Sequence, residues 1–585
     1  MRNQAMAVAL GVLTQQIADI AYRCIPRFTF ALIVLVAVTA CGGGASAPPP
    51  PPPPPAMYSI GGTVSGLDAS QSVVLQLNGG NDLTVDTNAA FKFTTHVASG
   101  SAYAVTVIQS PAGKTCTVNG GAGTASADVT GVAVACLVDP SYSVGGTVSG
   151  LIGQGLELAL QVVSGNYNCY SCTHFETIET IAVDRNGDFV FATQIRGGYL
   201  VAIPQQPQAP TQRCAVQNRL GGVLTANAVN VGIVCGEFAQ VMNSTNKTIS
   251  AFAIDAATGN MISANTVATG GLSPYSITGT PDKGHLYVGN SGSNDVSAFA
   301  VDATSGALAA VPGSPFAAGT TPRSLAVFST ITHPSELSGF YSHSRLYVAN
   351  AGSDNLSAYE IDEKSGALAP LSPATYTTGT GPSAIAILPS FPQFLYVANA
   401  GGSNDISAFS MDTDSGSLTR LAGSPFASGH SVSSLAFGSA GTFLYAADAS
   451  GGTAAIYGFS ISPPDAPTPG ALTSLGGFPL PLPSCTLIVA DQTGTYLYAT
   501  TGTDLLGYRI DALTGALTPL SGFPISVGAS VQSVSIDPTN QFLYVANGGA
   551  GTVTRYTLDS ATGALTLMSG SPFAVGTSAD YIATF

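Results

Sequence analysis

Leu346-Tyr-Val-Ala-Asn-Ala-Gly-Ser-Asp-Asn-Leu-Ser-Ala-Tyr-Glu-Ile-Asp-Glu-Lys-Ser-Gly-Ala-Leu368 is one copy of a phrase that the chain repeats. Its first five residues, or a close variant, centre on Tyr287, Tyr347, Tyr396, Tyr445, Tyr498 and Tyr544. A degenerate copy, Ala239-Gln-Val-Met-Asn243, centres on Gln240. The spacings are 47, 60, 49, 49, 53 and 46 residues. Each copy reads as four short strands: A (Pro-x-Ser-Ile-Ala), B (Leu-Tyr-Val-Ala-Asn), C (Ser-Ala-Phe or Ser-Ala-Tyr) and D (Ala-Leu). Four strands per period of about 45–50 residues make a propeller blade. The array opens on a B strand at Gln240 and ends on an A strand, Asp580-Tyr-Ile-Ala-Thr584. The C-terminus is therefore expected to supply the innermost strand of the first blade, which removes the open sheet edge. Seven B strands predict seven blades over residues 237–585.

Upstream, Tyr58-Ser-Ile-Gly-Gly-Thr-Val-Ser-Gly-Leu67 recurs as Tyr142-Ser-Val-Gly-Gly-Thr-Val-Ser-Gly-Leu151. Each copy is followed by alternating apolar stretches and by a turn leading into Phe-x-Phe. The turns are Asp86-Thr-Asn-Ala-Ala-Phe-Lys-Phe93 and Asp184-Arg-Asn-Gly-Asp-Phe-Val-Phe191. Short alternating strands with Gly and Asn turns predict two small β-sandwich domains, residues 57–138 and 141–236. The expected fold class is all-β: two sandwiches, then a seven-bladed β-propeller.

Composition narrows the partners. The 585 residues include 68 Gly, 37 Pro and no Trp, and only 8% are charged, against about 25% in ordinary soluble domains. With 45% hydrophobic residues the chain can bury a large core, which argues against intrinsic disorder. A net charge of −15 from 17 basic and 32 acidic residues leaves no footprint for a phosphate backbone, so nucleic acid is not an expected partner.

Residues 1–41 carry Arg23 and Arg27, an apolar run from Phe28 to Val38, then Thr39-Ala40-Cys41. A basic stretch, a short apolar run and small residues before a cut describe a secretory signal. Cys41 after Thr-Ala resembles the lipobox of bacterial lipoproteins, which implies acylation of its thiol and attachment to a membrane. Residues 42–56 form a Gly/Pro-rich tether. Gly42, where other lipoproteins carry Asp, resembles those sent to the outer membrane. An exported chain keeps disulfides. Cys116–Cys136 and Cys214–Cys235 occupy matching places in the two modules and are expected to pair, and Cys169–Cys172 sits in an insertion as a further pair. Cys485 is expected to be buried and free. No metal or other cofactor is expected.

The repeat array resembles the lactonase family of seven-bladed propellers and the related Tyr-Val-Thr-Asn repeat proteins, a pattern akin to WD40-like repeats. The upstream modules resemble the prealbumin-like domains of bacterial surface proteins. Some lactonase relatives hydrolyse 6-phosphogluconolactone, and such relatives carry Pro-His at the start of an A strand. Here the corresponding second residues are Tyr275, Arg323, Ser383, Ser433, Thr486, Gln532 and Asp580, and none is His. The array has only eight Lys or Arg (Lys247, Lys283, Arg323, Arg345, Lys364, Arg420, Arg509 and Arg555), a sparse supply for a sugar phosphate.

Aligned in this way, the seven residues ring the channel mouth where the D–A and B–C loops meet. Tyr275, Arg323, Gln532 and Asp580 are the ligand-binding candidates. Arg323, the one cation of the ring, suits a carboxylate or an oxyanion, or an ion pair with Asp580. His430, just before an A strand, is a candidate proton carrier. The aspartates of the C–D turns (Asp255, Asp302, Asp362, Asp412, Asp511 and Asp559) read as turn caps rather than metal ligands. Asn294-Asp295, Asp354-Asn355 and Asn404-Asp405 read as tight B–C hairpins. Two insertions, residues 329–343 and 462–470, lengthen loops on the face opposite the mouth and suggest a surface for a partner. The leading expectation is a lipid-anchored, non-catalytic scaffold that contacts protein or glycan. The alternative is a lactonase-like hydrolase of a small substrate, with Arg323 and His430 as its weak catalytic candidates.

Overall fold

The computed structural model describes residues 55–163, 175–196, 198–208, 210–217, 220–221, 224, 226–332, 341–388, 393–428, 431–449, 454–528 and 530–585. The signal segment with Cys41, nearly all of the tether, Cys169, Cys172, residues 333–340 of the first insertion and His430 lie outside them. The chain divides into two compact units, one of residues up to Pro111 with Cys116–Cys136, the other of Ala112–Thr115 with Leu137–Phe585.

The first unit holds two four-stranded sheets around one apolar core that includes Ile60, Leu75, Phe93 and Val132. Strands Met57–Ser65 and Val129–Val138 run parallel in the middle of one sheet. Their backbones approach so closely at Gly62 that a Cβ there would lie 1.7 Å from the Val132 carbonyl oxygen. The second Gly of the Gly-Gly pair is needed for that approach, and Gly146 meets Val231 in the same way in the second module. The Asp-x-Asn turns are also used alike. Asn88 brackets the backbone of Leu67 by two hydrogen bonds of 2.7 Å, and Asn186 does the same to Leu151 at 2.7 and 2.9 Å. Disulfides join Cys116 to Cys136 and Cys214 to Cys235.

In the second unit, residues from Glu237 onward build seven sheets with strands in the order A-B-C-D, five of them with one further short strand paired to strand C. The C-terminal strand Tyr581–Thr584 pairs antiparallel with Glu237–Asn243 and completes the first blade, as the sequence predicts. All-β architecture with a seven-bladed propeller is borne out. B strands such as Phe394–Asn399 and Phe542–Asn547 are buried along their whole length, because neighbouring blades cover both faces.

One hydrogen bond per blade explains why the repeated phrase contains both its Tyr and its Gly. The B-strand hydroxyls of Tyr287, Tyr347, Tyr396, Tyr445, Tyr498 and Tyr544 donate to the carbonyls of Gly366, Gly416, Gly470, Gly515, Gly563 and Gly259. Each acceptor lies in the C–D turn of the next blade. Gln240, at the degenerate position, donates to Gly306 instead and closes the ring. The turn glycines have φ between +65° and +75°, and each lies over the residue two positions before the B-strand Tyr or Gln. At Gly470 a Cβ would meet Phe394 Cδ1 at 2.7 Å, so the position is closed to side chains on two counts. Burial raises the phenol pKa of every one of these tyrosines, which keeps them as neutral donors. Tyr396→Phe is expected to cost about 1 kcal/mol, the net worth of one hydrogen bond, with more if the Gly470 carbonyl stays dry. Urea denaturation of the variant checks this, and an unchanged midpoint would remove the bond from the ledger.

The turn aspartates cap their own turns. Asp302 Oδ1, for example, accepts from Ser305 N at 2.8 Å and Ser305 Oγ at 2.7 Å. Those bonds hold its carboxyl below the usual range. Asn294, Asp354 and Asn404 adopt the left-handed φ that tight hairpins require. The insertion at 329–343 continues regular pairing, with Pro322–Thr332 and Tyr341–Asn350 in register out to Thr332 and Tyr341. Its described residues extend strands A and B of the blade.

Candidate functional site

The starts of the A strands share a defect in pairing. In five blades the A–B pairing slips by one residue at the start of strand A, between Pro274 and Ser276, Pro322 and Ser324, Pro382 and Ala384, Val432 and Ser434, and Val531 and Ser533. The extra residues are Tyr275, Arg323, Ser383, Ser433 and Gln532, five of the seven that the alignment places at the mouth. A bulge of this kind re-aims one side chain without ending the strand. Sequence reasoning aligned these positions but gave no sign of the bulges.

The ring is asymmetric. On one side Ser383 Oγ donates to Val432 O at 2.6 Å and Ser433 Oγ to Thr486 O at 2.9 Å, while Thr486 shares a 2.9 Å bond with Thr500. These hydroxyls stitch one blade to the next. The other side is aromatic and charged. The Arg323 guanidinium lies 4.3 Å from the centre of the Tyr275 ring, and Tyr275 lies 5.5 Å from Tyr581. Arg323 thus rests on an aromatic face, and among the described residues no ion pair joins it to Asp580. Such a contact is worth about 0.5–2 kcal/mol and leaves the N–H edge of the guanidinium for a ligand.

Asp580 is held by one oxygen. Its Oδ2 accepts from Ser244 N at 2.7 Å, Ser244 Oγ at 2.6 Å and Ser578 Oγ at 2.5 Å, whereas Oδ1 receives no hydrogen bond among the described residues. Gln532 donates to Ser530 Oγ at 3.1 Å and lies beside Gly548, as does Asp580 Oδ1. Blades seven, one, two and three therefore bring Gln532, Asp580, Tyr275 and Arg323 onto one arc. Tyr581 completes it and escaped the sequence reading. Its phenol is pushed up by burial, then by the charge and hydrogen bond of Tyr275, with Arg323 opposing. A signal existed: the equivalent residues are Ser276, Ser324, Ala384, Ser434, Leu487 and Ser533, and Tyr581 is the one aromatic among the seven.

The arc combines an anchored carboxylate with a free oxygen, a cation and two phenols, the groups needed to hold a polar carbonyl compound and to activate water beside it. No group of His, Cys, Asp and Glu among the described residues is arranged to hold a metal ion.

The family model for lactonases with a seven-bladed β-propeller matches residues 228–322, 394–500 and 467–571. The matched stretches lie almost wholly within the repeat array, which is similar to the lactonase propellers. Solved structures similar to it include a candidate 6-phosphogluconolactonase of Bacteroides fragilis (19% identity, TM-score 0.47, covering 60% of this chain and 98% of that one). A second candidate 6-phosphogluconolactonase, from Bacteroides uniformis, has 16% identity and TM-score 0.48, with 60% and 99% covered. The periplasmic gluconolactonase of Pseudomonas aeruginosa has 18% identity and TM-score 0.46, also with 60% and 99% covered. No curated protein matches the chain.

Proposed function

We propose that this lactonase-like propeller hydrolyses a small lactone at its upper mouth. The observation that carries the reading is Asp580, one oxygen fixed by three donors and the other left to meet water, on the same arc as Arg323. In this scheme Asp580 Oδ1 takes a proton from water and the resulting hydroxide adds to the lactone carbonyl. Arg323 steadies the oxyanion of the adduct, which collapses with cleavage of the bond to the ring oxygen; Asp580 returns its proton to that oxygen, giving the hydroxy acid and the free Asp580 carboxylate. The few cations of the array favour an unphosphorylated substrate.

The purified chain is expected to release acid from at least one member of a lactone panel. Asp580→Asn should lower the rate by about 10²–10⁴, as for a general base, and Arg323→Ala by about 10²–10³, as for a lost oxyanion donor. Both variants should keep a cooperative thermal melt. A folded chain that turns over nothing in the panel, or one indifferent to Asp580→Asn, would sink the hydrolase reading. The second reading, a non-catalytic scaffold for glycan or protein, is favoured by the absence of His from all seven A-strand starts, and its signature is a bound ligand that is not consumed.

The two disulfides suit an oxidising, extracytoplasmic compartment, and no helix among the described residues is long and apolar enough to cross a membrane. Acylation of Cys41 in the outer membrane remains part of the proposal. Palmitate labelling in a bacterial host should be lost in Cys41→Ser, and persistence of the label in that variant would refute it.

A further inference from the structure

The face opposite the mouth is covered by the second module. Strand Ala228–Val234 ends just before strand Glu237–Asn243 begins, so only Cys235 and Gly236 separate module from blade. Val234 is 1% exposed and belongs to one apolar cluster with Phe238, Leu286 and the C-terminal Phe585.

Polar contacts fix the same junction. Lys283, in the A–B turn of blade two, donates to the carbonyls of Arg213 and Gly236 at 2.8 Å each and pairs with Glu237 at 3.4 Å. All three N–H donors of the ammonium are thereby used. Arg213 N donates to Glu237 Oε1 at 3.0 Å, and Arg213 Nε to Pro538 O in the A–B turn of blade seven at 3.2 Å. Gln217 Nε2 reaches Asp282 O at 3.2 Å.

Module and propeller also share two clefts farther along the rim. One of about 460 Å³ lies between Gln208 and Arg213 of the module and Gln492 and Asn540 of blades six and seven. Another of about 370 Å³ lies between Leu200 and Ile203 of the module and Ser344 and Glu363 of blade three. The module's footprint therefore runs over blades six, seven, one, two and three.

We infer that the second module is the propeller's own partner on this face, a built-in floor that folds with the blades as one unit and leaves the upper mouth for ligands and outside partners. The extended A and B strands of blade three take part in this internal contact, since Ser329 and Ser344 line the shared cleft. A spacer would be joined by a linker and polar surfaces. Here the joint is an apolar cluster and a lysine buried across it.

Native-state hydrogen exchange on the whole chain tests the inference. The double variant Cys214→Ser/Cys235→Ser loosens the module from within and alters no propeller residue. Amides of the turns at 280–285 and 537–541 should then exchange at least tenfold faster, in step with strand Tyr199–Gln205, while the upper-face hairpin around Asn294 keeps its rate. Faster exchange confined to Tyr199–Gln205 would overturn the inference. The wild-type chain gives a second reading that needs no variant. Under increasing denaturant, Tyr199–Gln205 and the two turns should converge on one opening event with one denaturant dependence, and separate events would overturn it.

Discussion

A chain ending at Ala579 is expected to lose its cooperative melt and to aggregate. Strand Tyr581–Thr584 pairs Met242, Val241, Gln240 and Ala239 of the first blade with Tyr581, Ile582, Ala583 and Thr584. Flanking bonds run from Asp580 N to Met242 O at 3.0 Å and both ways between Phe238 and Phe585 at 3.1 and 3.2 Å. Thr584 also reaches the neighbouring blade through Ser535 Oγ at 2.8 Å and Ile536 O at 2.9 Å. Each hydrogen bond is worth about 1 kcal/mol net, and burying Ile582 and Phe585 adds about 1.5–3 kcal/mol apiece. The sum is on the order of 10 kcal/mol, comparable to the whole stability of a typical domain. The truncation also bares an edge of strand Glu237–Asn243, a template for pairing with other chains. Circular dichroism melts and size-exclusion chromatography check the result. A monomeric truncated chain with the wild-type midpoint would show that blade one stands without its fourth strand.

Lys283→Met is expected to cost about 3–5 kcal/mol, the usual penalty for breaking a buried ion pair from one side. The change orphans the carbonyls of Arg213 and Gly236 and leaves Glu237, 2% exposed, without its cation. Burial already pushes the Glu237 carboxyl up to about 7 against the pull of Lys283 and the Arg213 N–H, with Asp537 pushing further. Burial likewise lowers the Lys283 pKa, opposed chiefly by Glu237. For Glu237 the native state binds the proton more tightly than the unfolded chain does. Its contribution to stability is therefore full below the unfolded value near 4.5 and is lost as pH rises through about 7. Without Lys283 the native carboxyl titrates higher still, so the penalty should be larger at pH 8 than at pH 5. Urea denaturation at both pH values measures this. Equal penalties at the two would mean that the cost comes from packing and lost carbonyl bonds rather than from the stranded charge.

Much of the candidate site was legible because propeller repeats are in phase. Aligning the A strands puts Tyr275, Arg323, Gln532 and Asp580 at equivalent positions without any knowledge of contacts. What those residues do was not legible. The alignment allows Arg323 to pair with Asp580, yet the guanidinium rests on Tyr275 and the carboxylate is held by Ser244 and Ser578. Ser244 lies 336 residues from Asp580 in the chain, and only closure of the first blade brings the two together.

The sequence alone determined the elements that depend on neighbours in the chain: strands from alternation, turns from Asp, Asn and Gly, the blade count from the period and the closing strand from its offset. Local backbone preferences and burial patterns decide these, and both are written within a few residues. Tertiary structure decided the rest. The Tyr–Gly bonds join different blades, bulges interrupt the start of strand A in five of them, and a lysine of blade two is buried against the second module. Such contacts depend on which surfaces meet once the ring has closed, and no stretch of sequence carries that geometry by itself.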